Sequence, residues 1–225
     1  EFNCENNTIS ELDFAHTTKL RELNCNNNYL TELNLSACMS LDYKSYSIKL
    51  DYLKALDLGS VPGIKTLRID LYSGNQNIDF YTLKVRGECL TSINISSSNG
   101  KINGIDLDLP KLTEFTIASY MGDKIDFTGA PNIKSLTLIG NSLESLDLGY
   151  LTDLESLHIS ATSLHELNIT GNRLLKELTI DENGVAVEQI DLSKNSELTR
   201  LIISNAKNLE RLDLSQCLKL NSIDL

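Results

Sequence analysis

The 225-residue sequence lacks several features that would mark a functional class. It has no tryptophan, only three prolines and no run of eighteen apolar residues, so no segment is predicted to span a membrane as a helix. Basic residues form no cluster, and the net charge is -11 at pH 7. Nucleic acids and anionic lipids both need Lys or Arg to replace their counterions, so the sequence argues against both as partners.

Catalytic and metal-binding signatures are also missing from the sequence. No GxSxG, HExxH, P-loop or Rossmann glycine pattern occurs, and we therefore expect neither enzymatic activity nor a cofactor. The five cysteines are odd in number and include no CxxC pair, which fits neither a complete disulfide framework nor a zinc site. We predict free thiols packed like small hydrophobic residues at Cys4, Cys25, Cys38, Cys89 and Cys217.

What the chain does contain is a repeat of roughly 21 residues. Two adjacent copies read IKSLTLIGNSLESLDLGYLTD and LESLHISATSLHELNITGNRL over residues 133–174. Apolar residues occupy the same six places in both copies, and self-similarity at a fixed period of this length predicts a solenoid. The six are Ile133, Leu136, Leu138, Leu143, Leu146 and Leu148 in the first copy, and Leu154, Leu157, Ile159, Leu164, Leu167 and Ile169 in the second.

The same register runs along almost the whole chain. Further turns open at Leu20, Leu41, Ile64, Leu90, Leu112, Leu175, Leu198 and Leu220. We count nine complete turns between two partial ones with no linker between them, and predict one domain over residues 1–225. Pro62, Pro110 and Pro131 each stand two residues before the start of a turn, where a missing N–H is tolerated. Residue 1 falls inside a repeat, so we expect a leader or earlier repeats before it.

Each turn carries two stretches in which apolar and polar residues alternate, as in Leu56-Asp57-Leu58. This period of two is typical of β-strands, and stacked turns would bury the apolar sides and pair each strand with its copies in neighbouring turns. The predicted fold is therefore a solenoid with two short parallel strands per turn and little helix. An asparagine often follows the first stretch, and we expect its amide to bond backbone groups at the bend: Asn7, Asn28, Asn141 and Asn183.

The segment LRELNCNNNYLTELNLSACMS, residues 20–40, resembles the bacterial leucine-rich repeats of the IRREKO class. That class has the consensus LxxLxLxxNxLxxLDLxx, with a variant that has cysteine at the sixth place, where Cys4 and Cys25 stand here. The resemblance covers essentially the whole chain. It implies a right-handed leucine-rich-repeat solenoid, of the α/β horseshoe class by family but mainly β here. It also implies a bacterial, exported or surface-associated protein that binds macromolecules, and it carries over no catalytic residue.

An irregular segment supplies the first candidate binding surface. The turn from Ile64 contains the insertion DLYSGNQNID after its first strand, and insertions in solenoids map to loops that often bind. Tyrosine offers a large amphipathic contact area, so one hypothesis is that the tyrosines near this insertion form the main contact surface. The alternative is that their rings only fill space left by the irregular turns. The five tyrosines are Tyr43, Tyr46, Tyr52, Tyr72 and Tyr81.

The outward side of the first strands is the second candidate surface. Its side chains are mixed, small and polar, which suits either a protein or a glycan, while a merely solvated face is an equal alternative. The predicted contact residues are Arg68, Asn94, His158, Glu177 and Arg200. Thr116, Thr137 and Thr179 share the same face, and Ile139 and Ile202 are its expected exposed apolar residues.

The aspartate of the LDL stretch recurs from turn to turn and predicts a column of carboxylates. Stacked carboxylates repel one another and would recruit calcium, unless they accept hydrogen bonds within the turns, which is the reading we favour. The predicted members are Asp13, Asp57, Asp106, Asp126, Asp147, Asp191 and Asp213, interrupted by Asn34, Lys84 and Asn168.

Taken together, these patterns predict a non-catalytic module, secreted by a bacterium or held at its surface, that binds another protein. One alternative is a structural spacer or stalk segment of a longer adhesin. Another is a glycan-binding surface, which needs exposed aromatic residues in a row and has the tyrosine segment as its only place. No metal or cofactor is expected.

Overall fold

The structure is a computed structural model that describes residues 1–43, 45–71, 80–97, 102–160, 164–181, 187–205 and 208–225. It contains two compact units. The amino-terminal unit comprises Glu1–Leu112 and Asp126–Ala130, and the carboxy-terminal unit comprises Thr113–Ile125 and Pro131–Leu225. Whether the chain folds as one domain stays a prediction.

The amino-terminal unit contains nine strands and two groups of parallel pairs. The strands are β1 (Phe2–Asn3), β2 (Leu23–Asn24), β3 (Glu32–Asn34), β4 (Ser45–Lys49), β5 (Ala55–Asp57), β6 (Thr66–Leu71), β7 (Tyr81–Arg86), β8 (Ser92–Ser97) and β9 (Ile102–Asp108). First strands of successive turns pair as β1 with β2 and as β4 with β6 and β8. Second strands pair in the order β3-β5-β7-β9.

The carboxy-terminal unit contains ten strands in the same arrangement. They are β10 (Glu114–Ala118), β11 (Ser135–Ile139), β12 (Ser145–Asp147), β13 (Ser156–Ser160), β14 (Glu166–Asn168), β15 (Glu177–Asp181), β16 (Gln189–Ile190), β17 (Arg200–Ile203), β18 (Arg211–Leu212) and β19 (Ser222–Asp224). First strands pair in the order β10-β11-β13-β15-β17-β19. The second strands form the pairs β12-β14 and β16-β18.

Every pairing within the two units is parallel, and the described residues contain no helix. The predicted fold, a leucine-rich-repeat solenoid with two short parallel strands per turn, is therefore confirmed. None of the described segments is a helix with the length and apolarity needed to cross a membrane.

The repeat explains why each strand forms. In β11 and β13 the apolar residues Leu136, Leu138, Leu157 and Ile159 are at most 1% exposed, while the residues between them reach the surface. The pairing register joins Leu136 to Leu157, so equivalent places of successive turns stack directly on one another. A single turn has no partner for these side chains, and the stacked turns bury them all.

Two consecutive tight turns return the chain from a second strand to the next first strand. In one such connection the Leu151 N–H donates to the Leu148 carbonyl and the Leu154 N–H donates to the Leu151 carbonyl. The same pair of i to i−3 bonds recurs at Asn172 and Leu175 and at Asn195 and Leu198. The connection is therefore too short and too tight to hold an α-helix.

The bend after the first strand requires a residue with left-handed backbone. Asn27 has φ of 55° and Gly140 has φ of 58°. Each stands one place before the asparagine that follows the first strand of its turn, Asn28 or Asn141. We call asparagines at this place the ladder asparagines. Asparagine and glycine tolerate this conformation better than other residues do. The chain can then turn the ladder asparagine inward, where Asn28 and Asn141 are 2% and 4% exposed.

Candidate functional site

The tyrosine segment is organised around the backbone of β2. The Tyr43 and Tyr46 rings stack with centroids 4.8 Å apart, and Tyr46 is only 5% exposed. The Leu23 N–H donates to the Tyr43 hydroxyl at 2.6 Å, and that hydroxyl donates to the Leu23 carbonyl at 3.2 Å. The Tyr46 hydroxyl also donates to the Leu23 carbonyl, at 3.3 Å. Burial is the main cause that raises the pKa of both phenols.

These two side chains take the place of a missing strand pairing. Within the described residues, β2 pairs with β1 alone, while β4 pairs with β6. The Tyr43 hydroxyl accepts a hydrogen bond from the Leu23 N–H and donates one to the Leu23 carbonyl. In a regular turn the backbone of a neighbouring strand would make these bonds. Direct backbone pairing resumes only beyond the rings, where the Asn27 N–H donates to the Lys49 carbonyl.

The hypothesis that Tyr46 and Tyr81 present a contact surface needs correction, because these side chains are only 5% and 7% exposed. Tyr43 is half-buried with its hydroxyl turned to Leu23, and its part in binding stays a prediction. Tyr72 and most of the insertion lie outside the described residues.

Replacing Tyr43 with phenylalanine should lower the free energy of unfolding by about 1–3 kcal/mol, because the buried Leu23 N–H loses its acceptor. Urea unfolding followed by circular dichroism measures the change. The matched control is Tyr29→Phe, since Tyr29 is 51% exposed, and its loss should be close to zero. Equal stabilities of the two variants would contradict the role given to the Tyr43 hydroxyl.

The outward side of the first strands in the carboxy-terminal unit is regular. We call this surface the first-strand face. Its central column joins Thr116, Thr137, His158, Thr179, Ile202 and Asp224, and the next column joins Glu114, Ser135, Ser156, Glu177, Arg200 and Ser222. Glu177 and Arg200 are exposed and paired in register, while His158 is half-buried. Ile139, predicted to be exposed, is 39% exposed, and Ile202 is half-buried.

A hydrogen bond between two side chains lies within the first-strand face. His158 Nε2 is 3.2 Å from Asp181 Oδ2, and the side chains are 37% and 33% exposed. The pairing register puts Thr179 opposite His158, so the imidazole reaches past it to the next outward residue of β15. The sequence did not indicate this pair, because Asp181 stands at the end of its strand rather than in the row predicted to make contacts.

The corresponding surface of the amino-terminal unit is small. Arg68 and Asn94, both predicted contact residues, are exposed and paired in register, with Ser47 on the other side of Arg68. Arg68 Nε donates to Asp70 Oδ2 at 2.8 Å within its own strand. Because the exposed Arg68 is already paired with the mostly buried Asp70, this column offers little free charge to a partner.

The aspartates of the predicted column accept hydrogen bonds within a series of turns. Asp57 Oδ1 accepts from the Gly59 N–H at 2.8 Å, and Asp147 Oδ1 accepts from the Gly149 N–H at 3.0 Å. The same bond to the second following residue occurs at Asp13, Asn34, Asp126, Asn168, Asp191 and Asp213. In the part of the chain that the structure describes, no three His, Cys, Asp or Glu side chains are grouped to hold a metal ion.

The predicted places of Lys84 and Asp106 in this column were wrong. In the register, Asp57 is paired with Arg86, and Arg86 with Asp108, whereas Lys84 lies opposite Asp106 two residues earlier. Arg86 contacts both Asp108 and Asp106, at 3.1 and 3.6 Å. The insertion in the turn from Ile64 leaves more than one alignment of the second strand open, and only the backbone pairing decides between them.

Lowering the pH should cost stability through these turns. Hydrogen bonds from Ser193 lower the pKa of Asp191, and bonds from Ser215 lower that of Asp213. A depressed pKa stabilises the fold above the unfolded-state value near pH 4, and that contribution is lost as the pH falls through the lower folded-state value. Carboxyl NMR titration should show both pKa values below the ordinary range. Ser193→Ala should raise the pKa of Asp191 and leave that of Asp213 unchanged, and no response at Asp191 would contradict the assignment.

The five cysteines are free thiols, and three of them have the predicted buried packing. Cys25, Cys38 and Cys217 are buried, and Cys4 and Cys89 are half-buried. Cys4 and Cys25 occupy equivalent places in adjacent turns, since the register pairs Asn3 with Asn24. Burial raises the pKa of Cys25 to about 12, with a smaller contribution from Cys4.

Iodoacetamide should therefore alkylate Cys4 and Cys89 before Cys25 in the folded protein, because the thiolate is the nucleophile and Cys25 is both shielded and hard to ionise. Peptide mass spectrometry over a time course gives the order of labelling. Labelling in urea is the control and should reach all five cysteines at similar rates. Early labelling of Cys25 in the native protein would show that its turn opens readily.

A second asparagine ladder was missed in the sequence. Asn172 and Asn195 are 0% exposed. The Asn172 side-chain amide donates to the carbonyls of Leu148 and Leu151 at 2.8 and 2.7 Å, and that of Asn195 donates to Ile169 and Asn172. The signal was available, because other turns have an apolar residue at this place: Cys38, Leu151 and Cys217. A polar residue recurring in an apolar column indicates buried hydrogen bonds.

The asparagines predicted at the bends do bond backbone groups. Asn28 is 2% exposed, and its side-chain amide donates to the carbonyls of Cys4, Cys25 and Asn26, while its oxygen accepts from the Ile9 N–H. Asn141 accepts from the Tyr120 N–H at 3.0 Å. Asn7 bonds the carbonyls of Cys4 and Glu5 at an exposed position. Asn183 lies outside the described residues.

Three solved structures each align with nearly all of this chain. The functional domain of InlJ from Listeria monocytogenes, which includes a cysteine ladder, is 22% identical with a TM-score of 0.48, over 99% of this chain and 54% of that one. An internalin, InlF, from the same species is 17% identical with a TM-score of 0.49, over 99% and 79%. TLR13 in its complex with ssRNA13 is 14% identical with a TM-score of 0.37, over 98% and 56%.

This chain thus spans about half the length of the InlJ domain. No protein-family model matches the sequence, and the curated proteins include no match to it. At these identities and TM-scores the solved structures give no functional residue and no partner for this chain.

Proposed function

We propose that this chain is a non-catalytic module that binds another protein through the first-strand face. The observation that carries the proposal is the regularity of that face, in which six parallel strands hold their outward residues in register. A surface fixed by backbone pairing loses little conformational entropy when a partner docks on it.

The composition of the face suits a protein partner. Short threonine side chains leave the centre flat, while the partly exposed Ile139 and Ile202 supply apolar area. Glu177 and Arg200 add one exposed charge of each sign at the edge of the face. Protein interfaces combine apolar contacts with hydrogen bonds, and this face offers both. The net charge of -11 disfavours nucleic acid as the partner.

We further propose that the module works outside a bacterial cell or at its surface. This rests on the resemblance of the repeat to exported bacterial leucine-rich repeats, with Cys4 and Cys25 at the cysteine place of that pattern. Brief protease treatment of intact producing cells should release peptides of this chain while a cytoplasmic marker stays intact. Release only after lysis would contradict the proposed location.

The binding test compares two arginine substitutions that add the same charge on different surfaces. Thr137→Arg places a long cation at the centre of the first-strand face, and Gln189→Arg places one on the exposed second strand β16. Proteins captured from bacterial and host surface extracts are identified by mass spectrometry, and purified candidates are then titrated calorimetrically against each variant.

A partner that binds the native chain and Gln189→Arg, but binds Thr137→Arg at least about tenfold more weakly, supports the proposal. Equal binding by all three proteins would show that the first-strand face is not the site. If no purified candidate binds the native chain saturably, the spacer or stalk reading becomes the better description of the chain.

A further inference from the structure

An open cleft interrupts the second strands of the carboxy-terminal unit between β14 and β16. The second strands there form two separate pairs, β12-β14 and β16-β18, although the first strands β13, β15 and β17 of the same turns pair continuously. A cavity of about 510 Å³ lies at the interruption, and we call it the second-strand cleft. Its lining includes residues from all three neighbouring second strands and their flanks: Glu166, Leu167, Gln189, Asp191, Arg211 and Asp213.

One wall of the second-strand cleft is the open edge of β14. The Leu148 N–H donates to the Asn168 carbonyl at 2.9 Å, so Asn168 bonds toward β12. Successive residues of a strand in a parallel sheet bond to opposite neighbours. Leu167 therefore directs its N–H and its carbonyl toward β16. Within the described residues, no backbone hydrogen bond joins β14 to β16.

The opposite wall is the open edge of β16. The Glu210 N–H donates to the Glu188 carbonyl at 3.0 Å, so Glu188 bonds toward β18. By the same alternation, Gln189 directs its N–H and its carbonyl into the cleft. Two strand edges with unpaired donors and acceptors thus face each other across the cavity. Such edges are templates for pairing with a further strand.

The apolar interior is accessible at the base of the second-strand cleft. Leu167 is half-buried, whereas the inward residues at the same place of the neighbouring turns, Leu146 and Ile190, are 4% and 5% exposed. Leu146 is paired with Leu167 in register on the β12 side, and Leu167 lines the cavity on the other side. An apolar side chain of a ligand can therefore pack against Leu167.

The rim of the second-strand cleft is acidic. Among the described residues that line it, Glu166, Asp191 and Asp213 carry carboxylates, and the Arg211 guanidinium offsets only one of the three. The net charge of -11 on the chain acts in the same direction at long range. A cationic ligand is therefore favoured over an anionic one.

We propose that the second-strand cleft binds an extended peptide in which apolar and basic residues alternate. The peptide backbone pairs with the open strand edges, as in other cases of strand addition. Successive side chains of a strand point to opposite sides, so the apolar ones face Leu167 and the basic ones face the carboxylates of the rim. This site goes beyond the proposed first-strand face and shares no residue with it.

Titration calorimetry on the full chain tests the proposal with the heptapeptide Lys-Val-Lys-Val-Lys-Val-Lys, acetylated and amidated at its ends. We expect saturable binding. The same peptide with glutamate in place of every lysine should bind at least about tenfold more weakly, because the acidic rim repels it. Methylating the backbone nitrogens of the central valine and the next lysine removes one donor from each edge of the peptide. That change keeps the charge and should also weaken binding at least about tenfold.

Two substitutions that add the same charge on different surfaces locate the site. Gln189→Arg puts a cation on the wall of the second-strand cleft and should weaken binding of the lysine peptide about fivefold or more. Thr137→Arg, on the first-strand face, is the matched control and should change binding little. In the test of the first-strand face the two variants have the reverse roles, so failure of one proposal is distinguishable from failure of the other.

Circular dichroism melting establishes that both variants are folded. The proposal is wrong if the lysine peptide does not bind saturably at millimolar concentration, or if it binds no more tightly than the glutamate or the methylated peptide. Equal affinity of native chain and Gln189→Arg for the lysine peptide would contradict it as well. Sedimentation of the chain alone is a further check, since a dimer abolished by Gln189→Arg would mean that a second copy, and not a basic peptide, occupies the cleft.

Discussion

Replacing Leu157 with alanine should lower the free energy of unfolding by about 2–5 kcal/mol. Leu157 is 1% exposed, and the register stacks it between Leu136 and Leu178, both 0% exposed. Truncating its isobutyl group to a methyl leaves a cavity between stacked turns. Because a solenoid turn contacts only the turns on either side, the loss also weakens both interfaces of that turn.

Urea unfolding of the full chain, followed by circular dichroism, measures this effect. The matched control is Ile139→Ala, a large aliphatic residue on a neighbouring strand that is 39% exposed, and its cost should be less than about 1 kcal/mol. Similar losses for the two variants would mean that Leu157 does not pack as the structure describes.

Replacing Asn28 with leucine should cost about 2–4 kcal/mol, although the two side chains have the same number and branching of heavy atoms. The asparagine donates to three backbone carbonyls and accepts from the Ile9 N–H, and a leucine leaves buried polar groups without partners. Each such group costs roughly 1–3 kcal/mol, and part of the loss is recovered by burying a larger apolar surface.

Asn7 provides the control for this second prediction, since it occupies the same place one repeat earlier. Its two bonds, to the carbonyls of Cys4 and Glu5, are exposed, so water can replace them in Asn7→Leu. We expect a loss of less than about 1 kcal/mol in urea unfolding. If Asn28→Leu is no more costly than Asn7→Leu, burial of the ladder is not what makes these asparagines important.

The regular turns were predictable because their apolar and polar residues report one physical constraint. Leu136 and Leu138 must face inward and Thr137 outward in a strand, and the spacing to Leu143 and Leu146 leaves room for one bend and one more strand. Asn28 could be predicted as well, since a polar residue between buried ones at a bend must bond the backbone. These features depend on contacts with residues one repeat away, and the spacing of the repeat identifies those residues in the sequence.

The irregular turns could not be predicted in the same way. The extra residues in the turn from Leu41 indicate that its backbone departs from the regular repeat. They do not indicate that the Tyr43 hydroxyl makes the hydrogen bonds that a strand would otherwise make. Tyrosine suits a binding surface and a buried gap equally well, because one end is apolar and the other polar. Likewise, the second strand of the turn from Ile64 was placed two residues from its observed register.

The sequence by itself determined the solenoid class, the two strands per turn, the inward leucines and the asparagines at the bends, because a period of two within strands and about 21 between turns leaves few alternatives. The tertiary structure decided which outward residues lie side by side. The pairing of His158 with Asp181, the burial of Tyr46 and the exposure of Tyr29 depend on how side chains of neighbouring turns pack, which the repeat pattern does not specify. The function of a solenoid surface depends on which outward residues lie side by side, and the pairing of the backbone strands determines this.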